Sequence, residues 1–161
     1  MENITYNELE VGASKSRTIV ITEADIQQSA TLFRDANPVH LNDKFAKASI
    51  FGARIAHGMM SAGLISGVIG EELPGPGTIY VQQDLKFLAP VYIGDEITIT
   101  VCVAEKRDGK TPGKGRALLD TICTNQNGIA VSKGQALVQP PSEKIIYTPE
   151  SDQISWDDPV L

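Results

Sequence analysis

The sequence lacks the features of membrane-embedded, exported and nucleic-acid-binding proteins. It has no apolar run near the roughly 20 residues of a membrane-spanning helix, and residues 1–4 lack the basic start of a signal peptide. Its 14 basic and 20 acidic residues give a net charge of −6, whereas a general nucleic-acid binder would show a basic face. We therefore expect a globular protein with neither a membrane nor a nucleic-acid partner.

Cysteine is scarce as well. The chain has 2 cysteines, Cys102 and Cys123, and together with the missing export signal they predict a location in the reducing cytoplasm. A hairpin turn at residues 108–115 would set them diagonally across neighbouring strands, within reach of a disulfide. Because the predicted compartment disfavours one, we expect two free thiols that act as small core residues rather than nucleophiles.

The length of 161 residues suits one domain with a full hydrophobic core. Pro140 and Pro141 stop the last predicted strand, and the residues that follow contain Pro149 and Pro159 without a hydrophobic period. We therefore predict a single domain over residues 1–141 and an extended tail over residues 142–161.

The first half of the chain predicts one strand and several helices. The β-branched residues 17–22 predict a strand, and a helix should then run from Thr22 to about Arg34. Asp43 is expected to cap a short helical turn over residues 44–48.

The longest apolar stretch, residues 55–73, predicts a central helix. Its apolar residues lie on nearly all sides, as expected of a helix buried in the middle of a domain. Its four glycines each cost up to about 1 kcal/mol relative to alanine, so we expect them to admit a sheet backbone at close range. Met59 and Met60 are expected to fill the core.

From residue 78 the hydrophobic period changes to two, which is typical of strands. The predicted strands cover residues 79–88, 97–103, 116–124 and 129–138. A run of strands after the helices indicates an α+β fold rather than a parallel α/β fold. A curved antiparallel sheet wrapped around the long central helix would bury that helix on most sides.

Both histidines lie beside the start of the predicted central helix. Asp35 precedes His40 by five residues, and the rigid turn at Asn37 and Pro38 should bring these two side chains together. A histidine beside a carboxylate is a usual acid/base pair near neutral pH. The alternative is a loop aspartate that caps local amides and a surface histidine.

The step from His57 to Gly58 forms the second candidate feature. Gly58 stands where the central helix should begin, and the free N–H groups of a helix N-terminus can donate to a developing oxyanion. A buried, hydrogen-bonded histidine and a glycine chosen for packing are the simpler alternative. The two histidines and Asp35 match no standard zinc spacing, so we expect no metal. The basic residues at 106–116 predict a solvated loop or a contact with phosphate.

Three segments carry a family resemblance. The segment Asp35-Ala36-Asn37-Pro38-Val39-His40 resembles the hydratase signature of the MaoC-like family, which includes (R)-specific enoyl-CoA hydratases and related acyl-thioester dehydratases. Residues 56–60 with Ser66 resemble the start of that family's central helix, and residues 90–96 resemble its turn before a late strand.

The resemblance implies a hot-dog fold and reversible hydration of a trans-2-enoyl thioester to an (R)-3-hydroxyacyl thioester, without a metal or redox cofactor. It also implies a homodimer with the active site near the interface and acyl-CoA bound by both subunits. One departure concerns the residues before Asp35. The family usually has Ser or Thr and then Gly there, whereas this chain has Phe33 and Arg34.

The resemblance also assigns roles. Asp35 and His40 would hold the attacking water and handle its protons, in an order that the sequence leaves open. The Gly58 amide would hold the thioester oxygen, and His57 and Ser66 would belong to the substrate site. Asn37 would orient the loop or the water, or serve the turn alone. Two other functions keep the same fold, namely a hot-dog thioesterase and a non-catalytic acyl-thioester-binding domain.

Overall fold

The computed structural model describes residues 1–148. The predicted tail from residue 149 onward, with Pro149 and Pro159, lies outside the described residues. The elements in chain order are β1 (Ser14–Val20), α1 (Glu23–Phe33), α2 (Pro38–Leu41), α3 (Asp43–Ala48), α4 (Gly58–Glu71), β2 (Ile79–Phe87), β3 (Glu96–Asp108), β4 (Gly115–Thr124) and β5 (Ala130–Gln139). Residues 142–148 run beside the N-terminus, where Ile146 forms a β-bridge with Glu2.

The five strands form one antiparallel sheet in the order β1-β3-β4-β5-β2. Tight turns keep β3, β4 and β5 adjacent, whereas β1 and β2 come from either side of the helices and form the two edges. Alternate residues of β3, from Ile97 to Val103, face the core and are at most 1% exposed. The arrangement confirms the predicted α+β class.

The central helix α4 packs one face against the sheet. Ile65 and Ile69 on that face are at most 1% exposed and belong to the core cluster. The prediction of burial on most sides is wrong for the single chain, because Met59 is 58% exposed and does not fill the core. A Cβ atom at Gly63 or Gly70 would meet no atom of the described residues within 4 Å, so these glycines do not admit a sheet backbone.

Side-chain caps fix where the short helices begin. Thr22 and Asp25 form a capping box at α1, in agreement with the predicted helix start. At α3 the prediction that Asp43 is the cap is wrong. Only one residue separates α2 from α3, and that residue, Asn42, accepts a hydrogen bond from the Phe45 amide at 2.9 Å. Asp43 becomes the first helical residue, where its charge suits the positive end of the helix.

Cys102 and Cys123 are free thiols, as expected. Cys123 lies opposite Ile99 and faces the core, as predicted. The prediction that Cys102 is a core residue is wrong, because Cys102 lies opposite Asp120 on the other face of the sheet. Burial raises the pKa of the Cys123 thiol above its ordinary value, which agrees with a role in packing. Within residues 1–148, none of the helices is both long and apolar enough to cross a membrane.

Candidate active site

Asp35 lies directly after the turn that ends α1. Arg34 closes the helix in the left-handed conformation (φ 55°, ψ 35°), and the Asp35 amide donates to the Ala30 carbonyl at 3.1 Å. The Asp35 carboxylate accepts a hydrogen bond from the Asn37 amide at 3.1 Å. The carboxylate is therefore oriented by its own turn, while the residue remains exposed to solvent.

His40 lies on α2, which occupies the position of the predicted turn. Pro38 is the first residue of this short helix, and the Asn37 side chain caps it by accepting from the Val39 amide at 3.2 Å. His40 is 8% exposed, and its Nδ1 lies 2.8 Å from the Ile55 carbonyl oxygen. Because a carbonyl only accepts, Nδ1 carries the hydrogen, and the neutral ring keeps its lone pair on Nε2.

His57 connects Asp35 to His40. It is 3% exposed at the start of α4, and its Nε2–H donates to the Asp35 carbonyl at 3.0 Å. The His57 ring stacks on the His40 ring with centroids 3.9 Å apart, and Phe33 packs edge-on against it at 5.8 Å. The structure thus brings Asp35, His40 and His57 together, with one atom of each side chain within 4.8 Å of the others.

A cavity of about 320 Å³ opens beside the two imidazole rings. Gly58, Ser61 and Phe87 contribute to its lining. As the first residue of α4, Gly58 has an amide without an intrahelical acceptor, and within residues 1–148 the His57 side chain makes no cap bond to this helix end. A Cβ atom at Gly58 would come within 3.3 Å of the Phe87 ring, so glycine keeps this wall of the cavity open.

Ser66 does not share the cavity within the single chain. It lies on an exposed part of α4, about two turns beyond Gly58, whereas Ser61 is 8% exposed and lines the cavity. Sequence reasoning missed Ser61, although helical spacing was an available signal because this residue stands one turn after Gly58. It also missed Phe87, whose place depends on how β2 packs beside the helix start.

Arg54 links the segments around the site through ion pairs. Its guanidinium, with the side chain 14% exposed, pairs with Glu23 at the start of α1 and with Asp43 at the start of α3. The hydrogen bonds from Arg54 lower the pKa of the Glu23 carboxyl, and the same contact raises the pKa of Arg54. Because Ile55, the next residue, accepts the bond from His40, this clamp holds the acceptor of the imidazole in place.

By residue type, this cluster of side chains would also suit a metal ion. Their spacing in the sequence predicts no zinc site, although they meet in space. Nδ1 of His40 and Nε2 of His57 already bond to carbonyl oxygens, and the two rings lie stacked at 29° rather than converging edge-on. The absence of a metal cofactor stays a prediction.

Comparison with known proteins relates these features to a family. The family described as MaoC like domain matches residues 7–124. An (R)-specific enoyl-CoA hydratase of Rhodospirillum rubrum is 46% identical over 137 residues, which cover 85% of this chain and 92% of that protein. A 3-hydroxybutyryl-CoA dehydratase of Methylorubrum extorquens is 41% identical over 139 residues, with coverage of 86% and 85%.

Solved structures agree with the sequence relatives. The unliganded R-hydratase PhaJ1 from Pseudomonas aeruginosa superposes with a TM-score of 0.85 at 42% identity, covering 96% of this chain and 97% of that chain. The (R)-hydratase from Aeromonas caviae, involved in PHA biosynthesis, superposes with a TM-score of 0.77 at 39% identity, with coverage of 83% and 98%. The chain therefore belongs to the MaoC-like family and has the hot-dog fold of these hydratases.

Proposed function

We propose that this protein catalyses the reversible hydration of trans-2-enoyl-CoA to (R)-3-hydroxyacyl-CoA, with Asp35 and His40 acting on the water. The observation that carries the proposal is the pairing of these two side chains beside the open N-terminus of α4. The names of the relatives at 46% and 41% identity, an enoyl-CoA hydratase and a 3-hydroxybutyryl-CoA dehydratase, support this reaction.

The tautomer of His40 supports one order of the proton transfers that the sequence leaves open. Since Nδ1 donates to the Ile55 carbonyl, Nε2 is the nitrogen that accepts a proton from water. The Asp35 carboxylate orients the same water. The hydroxyl group adds to Cβ of the enoyl group, and the proton held by His40 then passes to Cα, so one water supplies both new bonds.

The thioester oxygen gains negative charge as water adds to Cβ, and it needs hydrogen-bond donors. The Gly58 amide lies at the N-terminus of α4, where the helix dipole is positive and the first N–H groups have no intrahelical acceptor. A donor fixed there before the reaction lowers the barrier because it requires no reorganisation. We assign the Gly58 amide to the thioester oxygen.

Three further residues were predicted around the substrate. His57 contacts the Asp35 carbonyl and the His40 ring, so we assign it a positioning role. It also lines the cavity, and its contact with substrate stays a prediction. Asn37 caps α2, which favours the turn role among its two predicted alternatives. The role of Ser66 in the substrate site stays a prediction.

The edge strand β2 supports the predicted homodimer. Ile79, Val81 and Phe87 on this strand are 56%, 42% and 53% exposed, and an exposed apolar edge strand is a template for pairing with another chain. Antiparallel pairing of β2 with its copy would put the interface beside Phe87 and hence beside the cavity, so that both subunits bind acyl-CoA. Light scattering should give twice the chain mass of 17.3 kDa.

The reaction is tested by mixing the purified protein with crotonyl-CoA and following enoyl absorbance and free thiol together. Loss of enoyl absorbance without thiol release is the expected result, with (R)-3-hydroxybutyryl-CoA as the product on chiral analysis. Thiol release would instead identify a thioesterase. No change in either signal across several acyl chain lengths would contradict the proposal and favour a binding domain.

A further inference from the structure

His57 has one ring nitrogen without a hydrogen-bond partner. The residue is 3% exposed, and its Nε2–H donates to the Asp35 carbonyl at 3.0 Å. The lone pair of the neutral ring is therefore on Nδ1, which is buried and bonds to no atom of residues 1–148. A buried acceptor without a donor is unfavourable, and most such atoms in proteins are paired. A donor should therefore lie near Nδ1.

Ser61 offers a hydroxyl group on the same side of the helix start. It stands four residues after His57, and residues at this spacing are neighbours on one helix face. Ser61 is 8% exposed. The Ser49 hydroxyl donates to a carbonyl of its own helix, whereas the Ser61 hydroxyl forms no hydrogen bond with any residue in the described part of the chain. Both neighbours thus have an unused polar atom.

A small void borders both His57 and Ser61. Its volume is about 10 Å³, close to the roughly 10–15 Å³ that one water molecule needs. The other residues that line it are apolar, namely Ile21, Ala56, Met60, Leu64, Val91 and Ile97. A buried water needs about two to four polar partners, and the hydroxyl and Nδ1 supply two. The void therefore suits one water and no larger ligand.

We propose that Ser61 is a positioning residue, whose hydroxyl holds one buried water that donates a hydrogen bond to Nδ1 of His57. The hydroxyl donates to the water oxygen, and one O–H group of the water donates to the ring. Ser61 then acts on the reaction through His57. The kinetic consequence rests on the proposed hydratase function, whereas the hydrogen bonds themselves can be tested without substrate.

The water matters because it selects one tautomer of His57. With a donor at Nδ1, the hydrogen of the neutral ring stays on Nε2, where it bonds to the Asp35 carbonyl. In the other tautomer, a lone pair on Nε2 would face the carbonyl oxygen, and the bond would be lost. The backbone of Asp35 and the stacked ring of His40 would then lose a support that the active site uses.

Direct contact with substrate is the competing role for Ser61, because this residue also lines the active-site cavity. Such a contact would affect KM, and it would not depend on His57. The water-mediated role instead affects kcat and requires the His57 ring. The two roles therefore differ in spectroscopy and in kinetics.

NMR spectroscopy of nitrogen-labelled histidine reads the tautomers directly. The chain has only 2 histidines, so the spectrum contains two rings, and His40→Ala assigns them. Wild type should show His40 with its hydrogen on Nδ1 and His57 with its hydrogen on Nε2, since each donates to a carbonyl. In Ser61→Ala, the two nitrogen signals of His57 should move toward each other as the second tautomer becomes populated.

A double-mutant cycle with crotonyl-CoA measures the kinetic consequence. Ser61→Ala should lower kcat about fivefold, the effect of losing one neutral hydrogen bond, with little change in KM. Alanine favours the helix, so the variant should fold. In a His57→Leu background, Ser61→Ala should have no further effect, because the ring on which the water acts is gone.

Two further variants serve as the rescue and the control. Ser61→Thr keeps the hydroxyl, and it should restore both kcat and the His57 signals. Ser16→Ala removes a hydroxyl that bonds to Thr100 on the exposed face of the sheet, and it should leave kcat and both histidine rings unchanged.

The contrary outcomes are equally specific. An equal fall in kcat in the wild-type and His57→Leu backgrounds would overturn the positioning role, as would a rise in KM as the main effect. A crystal structure in which the Ser61 hydroxyl bonds directly to Nδ1 would overturn the water. If the wild-type protein hydrated no substrate, the proposed function would fail, and the NMR comparison would still decide this inference. Identical His57 signals in wild type and Ser61→Ala would refute it.

Discussion

Residues 23–58 and the sheet of β3, β4 and β5 are held in place by different interactions. In the segment, histidine side chains bind backbone carbonyls distant in sequence, as His57 does at Asp35 and His40 does at Ile55. In the sheet, long strands share continuous backbone ladders over an almost fully buried core. The site geometry therefore depends on a few polar contacts, while stability depends on buried apolar area. Changes in the two regions should separate activity from stability.

The largest effect should follow from Asp35→Asn and His40→Ala. Asp35→Asn removes the carboxylate that orients the attacking water, and His40→Ala removes the group that carries its proton, so kcat/KM for crotonyl-CoA should fall by about three orders of magnitude in each. Thermal unfolding should change little for Asp35→Asn, because that side chain is exposed. His40→Gln is a second variant, since its N–H group can still donate to the Ile55 carbonyl.

Asp120→Asn is the matched control for these changes. Asp120 lies on the outer face of β4 and accepts a hydrogen bond from Gln135, away from the cavity. Its replacement should leave kcat/KM at the wild-type value. Near-normal activity in both Asp35→Asn and His40→Ala would show that the chemistry takes place elsewhere.

Ile65→Ala in α4 should have the opposite effect, a loss of stability without a loss of activity. Ile65 is fully buried against the sheet, and deleting its side chain should lower the free energy of unfolding by about 3 kcal/mol through lost burial and a residual cavity. Urea denaturation measures the loss, and kcat at a temperature where the variant is folded should stay close to wild type. Ser66→Ala, one residue further on the exposed part of the helix, should change stability by less than about 0.5 kcal/mol.

A smaller effect should follow at His57, where the two regions meet. His57→Leu removes the donor to the Asp35 carbonyl and the stacking on His40, so kcat should fall about 30-fold through misplacement of both groups. His57→Gln keeps an N–H group at a similar reach and should recover part of the loss. Equal activity of the two variants would contradict a positioning role for the hydrogen bond.

Much of the fold could be predicted because its signals are local. The alternation at residues 97–103 and the helix start at Thr22 each depend on neighbouring residues, and the structure has both. The sequence prediction ended β3 too early. The strand continues to Asp108 because its polar end still pairs with β4. That end is partly exposed, so its sequence has no hydrophobic alternation from which a strand could be predicted.

The site was only partly predictable for the same reason. Asp35 and His40 are joined by a short turn, so their closeness is a local property of the chain. The hydrogen bond of His57 to the Asp35 carbonyl spans 22 residues, and it depends on where α4 docks on the sheet. Ser61 lines the cavity and Ser66 does not. Which of these two helix positions faces the cavity depends on how α4 packs.

Arg34 provides the smallest expected effect and a direct check on backbone conformation in the site segment. Its φ of 55° and ψ of 35° lie in the left-handed region, which disfavours side chains with a Cβ and favours glycine. The resemblance predicts glycine at this position, so the sequence departure and the conformation concern the same residue. We expect Arg34→Gly to raise the free energy of unfolding by about 1 kcal/mol relative to Arg34→Ala, which keeps the unfavourable Cβ. Activity should stay close to wild type in both variants, because the Asp35 amide keeps its bond to the Ala30 carbonyl. Urea denaturation measures the two stabilities, and a glycine variant less stable than the alanine variant would contradict the prediction.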